Sequence, residues 1–134
     1  VTTHLLDTTF LIDYLRGDEG VKEYLTETED DPLLTTTLNL KEVATGWRLR
    51  GEFAPESLFS TFDWVDVVPF RIEHAVAASE YAASLYESSE HTRREIDAAA
   101  ADLLIAAVAD EEGATVVTRN VEDFERFGVP TATY

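Results

Sequence analysis

The chain has 134 residues, 27 of them acidic against ten basic, for a formal net charge of −17, with 45% hydrophobic residues and neither cysteine nor methionine. That length fits a single domain over 1–134, and the absence of cysteine excludes disulfides, thiolate metal sites and thiol catalysis. No apolar run approaches a membrane span, and no basic, apolar leader is present, so the expected location is cytoplasmic.

The first element is a short strand over 4–7 that closes on Asp7, followed by a helix over 9–16 stopped by Gly17. A second helix covers 21–27, and the polar turn Glu29-Asp30-Asp31-Pro32 leads into a strand over 33–36. A helix from about 39 to 49 ends before Gly51, and the next, over 55–62, opens with proline in its first turn, a favourable position. The strand over 64–68 is closed by Pro69. Two longer helices, over 72–87 and 95–112, are joined by a polar stretch over 88–94. Gly113 ends the second of them, a strand follows over 115–118, and a short helix over 121–127 precedes Gly128 and Pro130. Strands alternating with helices predict an α/β fold: three layers, α/β/α, around a mainly parallel sheet.

In such a sheet, ligands sit beyond the carboxyl ends of the strands. Asp7 closes the first strand, Glu42 lies in the first turn of the helix after the second, and Asn120 and Asp123 follow the fourth. For Asp7 alone a helix N-cap is the simpler reading. Asn39-x-x-Glu42 and Asn120-x-x-Asp123 both have capping-box spacing, so capping and functional readings stand level there. Asp102 differs. Its helical neighbours at three and four residues are Ala98, Ala99, Ile105 and Ala106, so its carboxylate projects from a face expected to be buried, too far into the helix to cap it. A buried carboxylate without a partner is costly and tends to be neutralised, paired or metal-bound. Asp97, with Arg93 and Arg94 nearby, reads as surface or capping.

Thr8 and Thr118 stand where they could support a ligand at the edge. His4, His74 and His91 share no ligand spacing and read as solvated or lightly packed. Arg16, Arg48, Arg50 and Arg119 are expected in local ion pairs at this net charge, and Trp47 and Trp64 in core or interface. The acids are scattered (Glu19, Glu23, Glu27, Glu52, Glu56, Glu73, Glu80 and Glu87 among them), and only Lys22 and Lys41 are lysines. That pattern matches surfaces adapted to molar internal salt, where a Debye length of about 3 Å screens the self-repulsion. A halophilic solvent, not an anionic or cationic partner, is the reading of this charge.

"LLDTTFLIDYL", "TTLNLKEVATG", "DLLIAAVA" and "GATVVTRNVEDF", in this order over nearly the whole chain, resemble the PIN-domain ribonucleases, and within them the VapC-type toxins of toxin–antitoxin pairs. The resemblance implies a metal-dependent endoribonuclease that cleaves single-stranded RNA with Mg2+ or Mn2+. It puts Asp7, Glu42 and Asp102 at the main metal-binding positions. Asn120 stands where some relatives carry Asp, leaving Asp123 as the charged fourth member, with Thr8, Thr118 and Asn120 in support. It also implies a small antitoxin partner docked on the early helices, and a homodimer. A receiver domain would need a lysine late in the chain, and none follows Lys41; a haloacid-dehalogenase-type phosphatase would need an acid at position 9, which is Thr9. A stand-alone PIN nuclease for RNA processing and a non-catalytic PIN-fold binding module remain as alternatives.

Overall fold

A computed structural model describes residues 1–88 and 91–134. In chain order the elements are β1 (Thr3–Leu6), α1 (Thr8–Leu15), α2 (Glu19–Glu27), β2 (Leu33–Thr36), α3 (Thr37–Leu49), α4 (Pro55–Thr61) and β3 (Asp66–Val68). Then follow α5 (Ile72–Glu87), α6 (Arg93–Ala98), α7 (Ala100–Glu112), β4 (Ala114–Val117), α8 (Val121–Glu125) and β5 (Thr131–Ala132). The five strands form one sheet in the order β3-β2-β1-β4-β5, and every pairing is parallel. β1 is central: His4 and Leu5 pair with Leu33 and Leu34 on one side, and Thr3 to Leu6 pair with Ala114 to Val117 on the other.

Adjacent strand residues point to opposite faces, and both faces here are covered. Leu5 and Val116 join the core beneath α5, α7 and α8, with Ile105, Val108 and Phe124. Leu6 and Val117 join the opposite core beneath α1 and α3, with Phe10, Leu11, Val43 and Phe62. A strand buried on both faces reads as a continuous apolar run, which is why β1 and β4 stand out in the sequence. This is the three-layer α/β/α architecture expected, with a sheet that is wholly parallel among the described strands.

Several boundaries differ from expectation. The helix expected over 95–112 breaks at Ala99 into α6 and α7, which places Asp102 in the first turn of α7 and not deep within a helix. β5 pairs with β4 and has no counterpart in the predicted elements. The strand expected over 64–68 is Asp66–Val68, and Trp64 precedes it, packed in the α1/α3 core. The polar join expected over 88–94 includes residues 89 and 90, which lie outside the described residues. Because α7 leads through Gly113, in left-handed conformation at φ 63°, straight into β4, it runs antiparallel to the strands. Its amino end therefore stands at the carboxyl edge of the sheet. Among the described residues no helix is long and apolar enough to cross a membrane.

Candidate functional site

The three adjacent strands β2, β1 and β4 end together, and the residues that follow them build one polar edge. Asp7 follows β1 and is 5% exposed. Its amide donates to the Val117 carbonyl at 3.0 Å, continuing the β1–β4 ladder by one residue. Asp7 occupies the N-cap position of α1, but its side chain makes no capping hydrogen bond, so the simpler reading from sequence fails for it. Instead Oδ1 accepts from Asn39 Nδ2 at 3.1 Å and Oδ2 accepts from the Thr118 hydroxyl at 2.8 Å. Burial pushes the Asp7 carboxyl above the usual carboxylate range, and hydrogen bonds led by the one from Thr118 pull the other way. Among the described residues no base forms an ion pair with Asp7.

After β2 the cap is Thr36, not Asn39. The Thr36 hydroxyl accepts from the Asn39 amide at 3.1 Å, and the Asn39 carboxamide oxygen accepts from the Thr36 hydroxyl at 2.6 Å and from the Thr36 amide at 3.3 Å. This capping box leaves the Asn39 NH2 group facing Asp7 and the Thr8 hydroxyl, the latter at 3.0 Å. Asn39 is fully buried and spends all its polar atoms holding Asp7 to the cap of α3. Glu42 is thereby free of the capping role its spacing suggested. Half-buried one turn further along α3, it has its pKa raised by burial and by the nearby Asp7, while the Thr8 hydroxyl and Lys41 lower it.

Asp102 enters from α7. Its side chain is 29% exposed, so the face expected to be buried is only partly so. Burial pushes its carboxyl up to about 6, helped by the charges of Asp7, Asp123 and Glu42 and opposed by Arg126. The charges of all three other edge acids thus act on Asp102. Asp123 is exposed in the first turn of α8. Asn120, also exposed, donates its amide to the Thr118 hydroxyl at 3.0 Å and makes no side-chain cap, so neither member of Asn120-x-x-Asp123 acts as a capping box. As the side chains stand, no three acids or imidazoles among the described residues close around a single point.

Residues read as bland from sequence divide further. His4 and His74 are buried, not solvated: His4 sits between Tyr24 and Asp31 at 2.7 and 2.8 Å. His74 accepts from the Arg71 amide at 2.9 Å, so its other nitrogen carries the proton towards Glu112 at 3.0 Å. Neither is near the edge acids. Asp97 is exposed, makes no ion pair with Arg93 or Arg94 among the described residues, and does not cap α6, a role filled by Thr92. Arg50 is in a local ion pair with Glu52 as expected, Arg119 pairs with the distant Asp13, and Arg48 lies over the Phe53 ring and makes no ion pair among the described residues. Sequence reading passed over Asn39 as a ligand to Asp7, and also Asp13 and Arg126. The Thr36-x-x-Asn39 spacing was the available signal for the first, since it competes directly with Asn39-x-x-Glu42.

Can these residues hold a divalent cation? All the candidate donors are oxygens, suited to a hard ion, and magnesium keeps several waters and needs only one or two carboxylates from the protein. Asp7 is a buried acid whose partners are neutral, so a cation is what its environment lacks. The donor set fits.

Fold and edge define an α/β protein with carboxylates gathered at the carboxyl ends of a parallel sheet. A family model for the PIN domain matches residues 4–130, and the chain belongs to the PIN domain family. Comparison with curated proteins gives no match. Among solved structures, VapBC2 from Rickettsia felis bound to a promoter DNA fragment is similar at 18% identity, covering 99% of each chain with a TM-score of 0.78. DNA-bound VapBC from Salmonella typhimurium is similar at 20% identity, covering 99% of this chain and 98% of that one, TM-score 0.77. VapC20 from Mycobacterium tuberculosis, described as a toxin cleaving the sarcin–ricin loop, is similar at 17% identity over 85% and 87% of the two chains, TM-score 0.55.

Proposed function

We propose that this protein is a metal-dependent endoribonuclease of the VapC type, cleaving single-stranded RNA with Mg2+ or Mn2+ and acting as the toxin of a toxin–antitoxin pair. The observation that carries the reading is Asp7: a buried carboxylate at the carboxyl edge of the sheet, held by Asn39 and Thr118 and, among the described residues, in ion-pair contact with no base. Asp7, Glu42 and Asp102 would hold the ion, with Asp123 as the fourth acid and Thr8, Thr118 and Asn120 in support. Asp123 suits that place better than Asn120, because its charge reaches Asp102. When bound, the ion supplies a water activated near neutral pH and charge to balance the phosphate. The chain's own part is to fix the acids. Asn39 and Thr118 bind one Asp7 oxygen each, and the Thr8 hydroxyl steadies Glu42.

The partner reading rests on a cleft of about 390 Å³ between α1 and α3 that opens beside Glu42. Ile12, Leu15, Val43 and Trp47 supply apolar wall there. A small antitoxin segment docked in it would gain hydrophobic affinity that salt does not screen, and its basic residue would reach the edge acids. Exposed Ile72 and Val76, one turn apart on α5, offer apolar surface to a second copy in a homodimer. A cytoplasmic location and a surface adapted to molar salt complete the reading. A melting temperature that rises from low to molar potassium chloride checks the latter.

The test is cleavage of single-stranded RNA by the purified protein with Mn2+ or Mg2+, with chelator as control. Products should carry a 5′-phosphate and a 3′-hydroxyl, and Asp7→Asn should be inert. The dispersed acids and the Arg126–Asp102 contact favour one rival, a PIN-fold binding module. RNA binding without Mn2+-stimulated cleavage would establish that rival. Cleavage untouched by the product of the adjacent small gene would leave a stand-alone nuclease.

A further inference from the structure

Among the described residues, one base is in ion-pair contact with the edge acids. Arg126 follows α8, and its side chain turns back along the site. Nη2 stands 3.8 Å from Asp102 Oδ2, Nε donates to the Asp123 carbonyl at 3.0 Å, and the guanidinium carbon lies 5.0 Å from the centre of the Phe127 ring. Among the described residues no other base is in ion-pair contact with Asp7, Glu42, Asp102 or Asp123.

The contact is loose. At 3.8 Å it is longer than a hydrogen bond, and the two side chains are 39% and 29% exposed. Arg119 on Asp13 is the contrast: it makes a direct hydrogen bond to a buried carboxylate. A half-exposed pair of the first kind contributes little to stability. Its guanidinium can therefore leave Asp102 without cost to the fold. The Nε bond to the Asp123 carbonyl does not depend on Asp102, so the side chain has an anchor when it leaves.

We propose that Arg126 is an internal counter-cation that competes with the divalent ion for Asp102, so that metal enters by displacing the guanidinium. This rests on the metal-nuclease reading above. Two cations cannot occupy one side of one carboxylate, and the affinity for the ion is lowered by whatever the guanidinium gains from Asp102. In a protein of net charge −17 the function of such a residue is local. It partly offsets the charge of Asp102 until a divalent ion is present.

The experiment is calorimetric titration of the complete protein with Mn2+ in molar potassium chloride, with folding checked by circular dichroism. Arg126→Gln should bind Mn2+ about three- to fivefold more tightly, the range expected from removing a partly exposed competing charge. Arg126→Lys, which keeps the charge, and Arg94→Gln, which removes one that makes no ion pair with the edge acids among the described residues, should stay within about twofold of the parent. In an Asp102→Asn background the gain from Arg126→Gln should vanish, because the cycle isolates the pair. Unchanged or weaker binding in Arg126→Gln overturns the proposal. So does a gain matched by Arg94→Gln, or one that survives in Asp102→Asn. If Arg126→Gln and Arg126→Met both fail to fold, Arg126 is a structural brace and the proposal is likewise overturned. A parent protein that takes up no Mn2+ sinks the metal-nuclease reading itself, and that result is distinct from all the others.

Discussion

Asp7 and Asp13 lie six residues apart at the two ends of α1, and both are buried, at 5% and 3% exposed. Their surroundings are opposite. Asp13 accepts from the Arg119 guanidinium and, at 2.5 Å, from the Tyr134 hydroxyl, with Arg16 at 4.0 Å. Burial and that bond push the Tyr134 hydroxyl up to about 12, so it remains a donor. The side-chain partners of Asp7 are an amide and hydroxyls, all neutral. The first carboxylate is neutralised from within the chain and ties α1 to the segment after β4. The second is oriented but not neutralised. Burial is common to the two acids; the charge of their partners is what differs.

The largest effect should come from Asp7. Asp7→Asn keeps an acceptor for Asn39 and offers a donor towards Thr118, so the metal-free melting temperature should stay equal or rise. RNA cleavage should fall by at least about 10³-fold, about 4 kcal/mol of barrier. An unfolded Asp7→Asn would place Asp7 with Asp13 and break the comparison. Asp13→Asn should do the reverse, costing about 2–3 kcal/mol in denaturant unfolding through weakened bonds to Arg119 and Tyr134. Cleavage per folded molecule should change far less than in Asp7→Asn.

Asp102 gives a smaller, pH-dependent effect. A folded pKa of about 6 against an ordinary 3.8 means the folded protein holds this proton more tightly than the unfolded chain does. Ionised Asp102 therefore destabilises the metal-free fold in full above about pH 6, and that penalty is relieved as pH falls through 6 towards 4. The contribution is on the order of 1 kcal/mol once partial exposure is discounted. It is read as the difference in melting-temperature slope between the parent and Asp102→Asn over pH 4–7. Mn2+ affinity should weaken below about pH 6, since the ion must displace that proton. The smallest effect belongs to Tyr134→Phe, which removes one of the donors to Asp13 and should cost about 1 kcal/mol with cleavage unchanged.

The layers, the parallel sheet and the placing of Asp7, Glu42 and Asp123 after strands that end at one edge could be read from sequence for a simple reason. Strands buried on both faces print as apolar runs, and the sense of a parallel sheet then fixes which ends meet. Asp102 was visible because its neighbours at three and four residues are apolar. The break before it was not: Ala98 to Ala101 are four helix formers in a row, and nothing local marks Ala99 as a joint. β5 is two residues long, too short to carry a period. Asp13 and Arg126 were hidden for another reason. The Asp13–Arg119 pair spans 106 residues, and Arg126 meets Asp102 from a different helix, so neither pairing has a local pattern. Asn39 was visible but assigned to the wrong box.

The central position of β1 also sets an order of birth. Its partner β4 enters the sheet at Ala114–Val117, and the Thr118 hydroxyl that holds Asp7 lies 111 residues downstream of it. At roughly 5–20 residues per second of synthesis, Asp7 waits roughly 5–20 s for that hydroxyl to be made. A nascent chain stalled before β4 carries Asp7, Glu42 and Asp102 but lacks β4 beside β1 and the Thr118 hydroxyl that holds Asp7. Completion of this edge therefore waits on the synthesis of β4 and of Thr118, which pairs with Asp7 from 111 residues away.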